Sequence, residues 1–182
     1  MHNIFSKKDG FRFFGVILAF VIGWAVLSSV FSSTFDTVNY AFTAFQSHLS
    51  SFALSLFGLL TESVSTQNEL YYRLIDVNDN QMHISHHCNG FSLLIVFSAL
   101  ILALPGKPKP KLLFLVFGNA LIVLVNVIRI CLLFLNYRYF PAWIDFNHKY
   151  TFTFLVYGFI FMLWRYYAKK WMSAPGIAQK AS

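Results

Sequence analysis

Residues 112–135 read LLFLVFGNALIVLVNVIRICLLFL. An apolar run of that length with a single charge is long enough to cross the hydrocarbon core of a bilayer, which takes about 20 residues. Its polar residues are not scattered. Asn119, Asn126 and Arg129 fall at steps of seven and three, near one helical face. A guanidinium at membrane depth costs several kcal/mol unless it is paired or turned to a wet cavity, so this stripe should face neighbouring helices rather than lipid.

Working outward, three more segments have the length and apolarity of a span: about Phe13 to Phe31, Cys88 to Leu104, the shortest, and Tyr150 to Tyr167. Composition agrees, with 57% of the 182 residues hydrophobic, 22 of them Phe, and only 12% charged, a profile that excludes an ordinary soluble domain. The net charge of +7 does not indicate nucleic acid, because the cations sit in short patches flanking apolar runs and not on one polar face. They read as topology determinants. Lys7, Lys8 and Arg12, then Lys107, Lys109 and Lys111, then Arg165, Lys169, Lys170 and Lys180 assign those flanks to the cytoplasmic side, leaving Arg73, Arg138 and Lys149 outside. No small-x-small cleavage site follows the first apolar run, so it reads as a retained anchor.

This orientation requires the stretch between the first two spans to stay outside. Within about residues 36–60, Val38, Phe42, Phe45, Leu49, Phe52, Leu56 and Leu59 recur at helical spacing, while Asp36, Asn39, Gln46, Ser47, Ser50 and Ser51 lie off the stripe, the pattern of an interfacial amphipathic helix. About residues 69–86 carry β-prone text around the turn Asn78-Asp79-Asn80, predicting a short extracytoplasmic hairpin. The expected fold is thus an all-α membrane protein, one membrane domain over residues 1–182, with four transmembrane helices, the interfacial helix and the hairpin.

The hairpin leads into His86-His87-Cys88-Asn89-Gly90. A thiol in the first turn of a helix meets unpaired backbone N–H groups that favour thiolate, and Gly90 permits close approach of another backbone. Arg129, about two turns below the outer boundary of its span, and His148, opening the last one, share that depth. Thiol, imidazole and fixed cation are the parts of covalent acyl transfer: nucleophile, proton shuttle and oxyanion stabiliser.

Cys88-Asn89-Gly90, then Asn126-Val127-Ile128-Arg129-Ile130, then His148, in that order and at that depth, resemble the exosortase/archaeosortase family of membrane cysteine transpeptidases, over about Met82 to Trp164. The resemblance implies Cys88, Arg129 and His148 as catalytic residues, with Asn89, Gly90, Asn126 and His87 in support or at the substrate, and no cofactor or metal. It implies as partners exported proteins bearing a C-terminal transmembrane sorting tail, cleaved through a thioester at the outer face of the bacterial inner membrane, with membrane lipid as surroundings and no nucleic acid. The chain departs from the family in having four expected spans where around eight are typical, as in short bacterial variants, and in Asn89 where Ser is frequent.

Other readings follow from the residues alone. His83, His86, His87 and Cys88 are spaced closely enough for a metal, but strand alternation turns His83 away from His86. A haem between His87 and His148 would sit at helix ends near water, and Cys131 gives Cys88 no resolving partner at matching register. The alternative outside enzymology is a non-catalytic scaffold subunit of a surface-polysaccharide or secretion complex.

Overall fold

The computed structural model of the protein describes residues 7–65, 71–85, 88–104 and 107–172. It is mostly helical with one small sheet. Helix α1, Lys7–Val30, turns at Phe31 into α2, Ser32–Leu56; strands β1, Thr61–Ser65, β2, Tyr71–Asp76, and β3, Gln81–Ser85, follow. Then come α3, Phe91–Ala103, and α4, Pro108–Tyr139. A 3-10 turn at Pro141–Trp143, the single turn α5, Ile144–Phe146, and a π-helical turn, Asn147–Thr151, connect α4 to α6, Phe152–Met172.

Helix α4 is the axis of the molecule. Pro108 and Pro110 start it without forfeiting helical hydrogen bonds, since the first N–H groups of a helix are unpaired in any case. Its 32 residues rise about 48 Å, more than the ~30 Å hydrocarbon core requires. Among the described residues it alone is long and apolar enough to cross a membrane by itself, and α1 with α2 passes only as a pair bent by 99°. Four full spans are therefore not shown. In particular α3 has 13 residues, a rise of roughly 20 Å, and starts at Phe91, so Cys88 precedes the helix instead of opening it.

Two clusters hold the elements on α4. Towards its start, Phe97 and Ile101 of α3, Leu115 and Ile122 of α4, and Ile160 and Tyr167 of α6 interlock. The Phe97 ring fills a notch at Gly118, where any Cβ would come within 2.4 Å of the ring. A small residue at such a crossing lets helices approach without help from water exclusion, as membrane packing needs. Asn119 Nδ2 donates to Ser98 Oγ across the same interface at 3.1 Å. Towards its end, Ile130 and Phe134 meet Leu54 of α2, Leu74 of β2 and Ile84 of β3.

The face that α2 turns inward is the polar one. Thr43, Gln46, Ser47 and Ser50 are buried, whereas Phe45, Phe52 and Leu56 of the apolar stripe are exposed at 50%, 61% and 70%. The helix is amphipathic as expected, and it turns its polar face to the rest of the chain and its apolar stripe outward. Phe42 packs on Phe91 at 5.4 Å and Trp24 edge-on to Phe35 at 4.7 Å, joining α1, α2 and the start of α3 around the bend.

The hairpin is present as β2 and β3, with Asp79 in the left-handed region at φ 61. A third strand, absent from the sequence expectation, pairs with β2 to give the antiparallel order β1-β2-β3. Its inward residues are hydroxyls: Ser63 Oγ lies 2.7 Å from Ser47 Oγ, and the carbonyl of Thr61 accepts from Ser51. No apolar alternation therefore announced it.

At the hairpin turn, Asp76 accepts from the N–H groups of Asn78 and Asn80, each at 2.9 Å, and from Arg138 at the end of α4 at 2.6 Å. Burial pushes this carboxyl upward, but the Asn80 and Asn78 hydrogen bonds and the Arg138 charge outweigh it and hold it below its ordinary range. Its contribution to stability is thus complete above the unfolded value of about 4 and is lost as pH falls through the lower folded value. Arg138→Ala should destabilise the sheet by about 1 kcal/mol, measured as protease susceptibility of the hairpin in detergent, and should raise the pH at which acid loosens it.

Candidate active site

The loop before α3 brings the site together. Cys88 N–H donates to the carbonyl of Ser85, the last residue of β3, at 2.9 Å. Asn89 is fully buried and spends its side chain in two directions. Its Oδ1 accepts from Phe91 N–H at 2.8 Å, capping the first turn of α3, and its Nδ2 donates to Thr43 Oγ1 at 3.0 Å and more weakly to Asn39 of α2. Gly90 adopts φ +80, and a Cβ there would sit 2.9 Å from Cγ of Asn126. Glycine is thus required twice, by backbone conformation and by close approach.

That approach lets Asn126 Nδ2 donate to the carbonyl of Cys88 at 3.2 Å. Asn126 is fully buried, and its Oδ1 has no partner. From the other side, Cys88 Sγ lies 3.1 Å from Nε2 of His148. His148 belongs to the π-helical turn, a register that leaves backbone carbonyls without their usual i+4 donor and often marks functional positions. Thr153 Oγ1 supplies a donor to the His148 carbonyl at 3.1 Å.

Arg129 enters the site through a cavity and not through a bond to the thiol. With Asn89, Gly90, Ser92, Thr153 and Tyr157, it lines a space of about 160 Å³ whose walls include the two residues after Cys88 but neither Cys88 nor His148. Its Nε is buried without a hydrogen-bond partner, and among the described residues no carboxylate pairs with it. An unneutralised guanidinium facing a small cavity suits an anion, or an oxygen that becomes one.

His148 titrates below its ordinary value of 6.5, first because burial disfavours the imidazolium, then because the Arg129 charge repels it. Asp145 opposes the shift by charge alone, with no hydrogen bond to the ring. The imidazole is therefore neutral at physiological pH and able to accept a proton from a thiol 3.1 Å away.

Of the residues the sequence singled out, Cys88, Asn89, Gly90, Asn126 and His148 are linked by contact, and Arg129 joins them across the cavity. His87, with His86, lies outside the described residues. The placement of Cys88 before the helix means that Asn89, not the thiol, meets the free N–H at the start of α3. Thr43, Asn39 and Thr153 support the site and had no distinguishing signal of their own; the polar face of α2 was visible, its partner was not. Cys131 sits apart, its thiol directed at Ser50 O at 3.6 Å.

Two measurements check this geometry. The His148 ring, followed by NMR in detergent, should titrate below 6.5 and move upward in Arg129→Gln, where the repelling charge is gone. Gly90→Ala should displace the Cys88 carbonyl from Asn126 and cost on the order of 2 kcal/mol from the left-handed backbone alone, seen as a lowered Tm and altered alkylation of Cys88.

A family model described as transmembrane exosortase matches residues 9–165. No curated protein and no solved structure matches the chain.

Proposed function

The chain belongs to the transmembrane exosortase family and is a membrane protein, and from that premise we propose that it is a cysteine transpeptidase acting on C-terminal transmembrane tails of exported proteins. The observation that carries this reading is the 3.1 Å approach of Cys88 Sγ to His148 Nε2, with Arg129 on the wall of a cavity that the neighbouring Asn89 and Gly90 also line.

The chemistry runs through this chain's own groups. His148 Nε2 takes the thiol proton as Cys88 Sγ attacks the scissile carbonyl carbon, forming a C–S bond and an oxyanion. Arg129 neutralises that oxyanion from the cavity wall, where low dielectric strengthens the attraction. The oxyanion collapses, the C–N bond breaks, and the imidazolium returns its proton to the leaving amine, leaving a thioester on Cys88. An acceptor amine or water then gives its proton to His148 and attacks the thioester. Collapse of the second oxyanion breaks the C–S bond, and the thiolate recovers the proton from His148.

Asn126, Gly90 and Asn89 act by position. Asn126 fixes the Cys88 carbonyl, Gly90 makes room for it, and Asn89 ties the loop to both α2 and α3. The topology in this reading is multi-pass in the bacterial inner membrane: α1, α4 and α6 cross, the shorter α3 enters beside them without filling a whole span, α2 lies at the outer interface with its apolar stripe towards lipid, and the site opens outside. The positive-inside distribution of Lys and Arg supports that orientation.

The test is co-expression with an exported protein carrying a C-terminal motif and transmembrane tail. Cys88→Ala, Arg129→Ala and His148→Ala should each lower tail cleavage by about 10² or more, and Cys131→Ala should leave it intact. Cleavage that survives Cys88→Ala makes the chain a non-catalytic scaffold.

A further inference from the structure

In a regular helix a Ser or Thr hydroxyl bonds back to the carbonyl three or four residues earlier. Thr37, Thr43 and Ser50 of α2 do so, each to the carbonyl four residues back. Thr153 Oγ1 instead donates to the carbonyl five residues back, that of His148, at 3.1 Å. The cause is the π-helical turn. Phe152 N–H is bonded to the carbonyl of Asn147, so the His148 carbonyl loses the donor that α register would give it. The Thr153 hydroxyl takes that donor's place, as a buried carbonyl requires.

The register decides which side chain faces the thiol. At 3.6 residues per turn an α-helix carries residue i over i+4 and leaves i+5 roughly 140° round the axis. A π turn brings i over i+5. His148 thereby stands over Thr153, on the side of α6 that continues through Val156 and Ile160 into the buried cluster. Thr153 and Val156 also line the Arg129 cavity. In uninterrupted α register Lys149, four residues before Thr153, would stand there and His148 would be turned away; with the π turn in place Lys149 is exposed. An ammonium has no lone pair with which to accept a thiol proton, whereas a neutral imidazole does.

We propose that Thr153 is a positioning residue whose hydroxyl holds the π register that sets His148, and not Lys149, against Cys88. Its consequence for catalysis rests on the transpeptidase reading; the register itself does not. Thr153 touches neither the thiol nor the imidazole in this role. It acts through the backbone of His148, by stabilising the wide turn over the regular one.

Thr153→Val keeps the branched shape and removes the hydroxyl, and Thr153→Ser keeps the hydroxyl. With purified full-length protein and a tail-bearing substrate, Thr153→Val should lower kcat by about tenfold to 10²-fold with little change in KM, and Thr153→Ser should stay near wild type. The second readout is the His148 ring by NMR, whose titrating and charged neighbours are Cys88, Arg129, Asp145 and Lys149. In Thr153→Val it should move up towards its ordinary value as the ring leaves burial and the Arg129 charge; in Thr153→Ser it should not move. Deleting Tyr150, which is 63% exposed, shortens the five-residue turn to an α turn and leaves His148 over Thr153. Cleavage should survive that deletion, and the deletion should restore cleavage to Thr153→Val. Where Thr153→Val does not fold, the deletion alone decides. An unmoved His148 titration in Thr153→Val, or loss of cleavage on deletion of Tyr150, overturns the role of Thr153 and leaves the transpeptidase standing. Cleavage that persists in Cys88→Ala overturns the transpeptidase, and the His148 titration in Thr153→Val then still decides the register.

Discussion

Asn126 reaches the carbonyl of Cys88 across a gap that exists because residue 90 has no side chain. Through this contact the long helix α4 grips the loop that carries the thiol, and the remaining geometry follows from it. With the carbonyl fixed, Sγ is directed at His148, Asn89 is left to cap α3, and Arg129, one helical turn beyond Asn126, lines the cavity that Asn89 and Gly90 share. A polar anchor of this kind suits a site in an apolar surround. Hydrophobic packing is non-directional and gives little angular control, while an amide hydrogen bond in low dielectric is strong and oriented.

The same principle explains α2. In a water-soluble protein its Phe and Leu stripe would be the inward face; here Thr43, Gln46, Ser47 and Ser50 are buried and the stripe is outward. Serine and threonine hydroxyls, which cost little to bring close together, tie α2 to β1 and to Asn89, and the Cys131 thiol of α4 donates to the Ser50 backbone carbonyl. The sheet is clamped in turn to the end of α4 by Arg138 and Asp76. The reactive loop is therefore held on each flank by polar contacts between elements far apart in sequence.

Much of this was legible beforehand because apolar runs, charge asymmetry and helical periodicity are local properties. The stripe of Asn119, Asn126 and Arg129 on α4 and the β2–β3 turn at Asn78 to Asn80 were readable for that reason. Strand β1 was not, since its inward positions are hydroxyls whose partners lie on α2 and periodicity registers only apolar alternation. The start of α3 was misplaced because apolarity does not distinguish the capping loop Cys88-Asn89-Gly90 from the helix it precedes; the positive φ at Gly90 does. Helix α3 then proved too short to fill a whole span. Thr43 and Thr153 act through distant or π-register contacts that no spacing rule reports.

The central claim is that Cys88 carries an acyl group during turnover. Purified protein incubated with a tail-bearing substrate and quenched in acid, which slows thioester hydrolysis, can be digested and weighed by mass spectrometry. The account predicts a substrate-derived mass on the peptide containing Cys88, released by neutral hydroxylamine, enriched in His148→Gln if the second half-reaction is slowed more than the first, and absent from the Cys131 peptide. Cleavage of the tail with Cys88 unmodified at every time point, or an adduct on Cys131 instead, would contradict it.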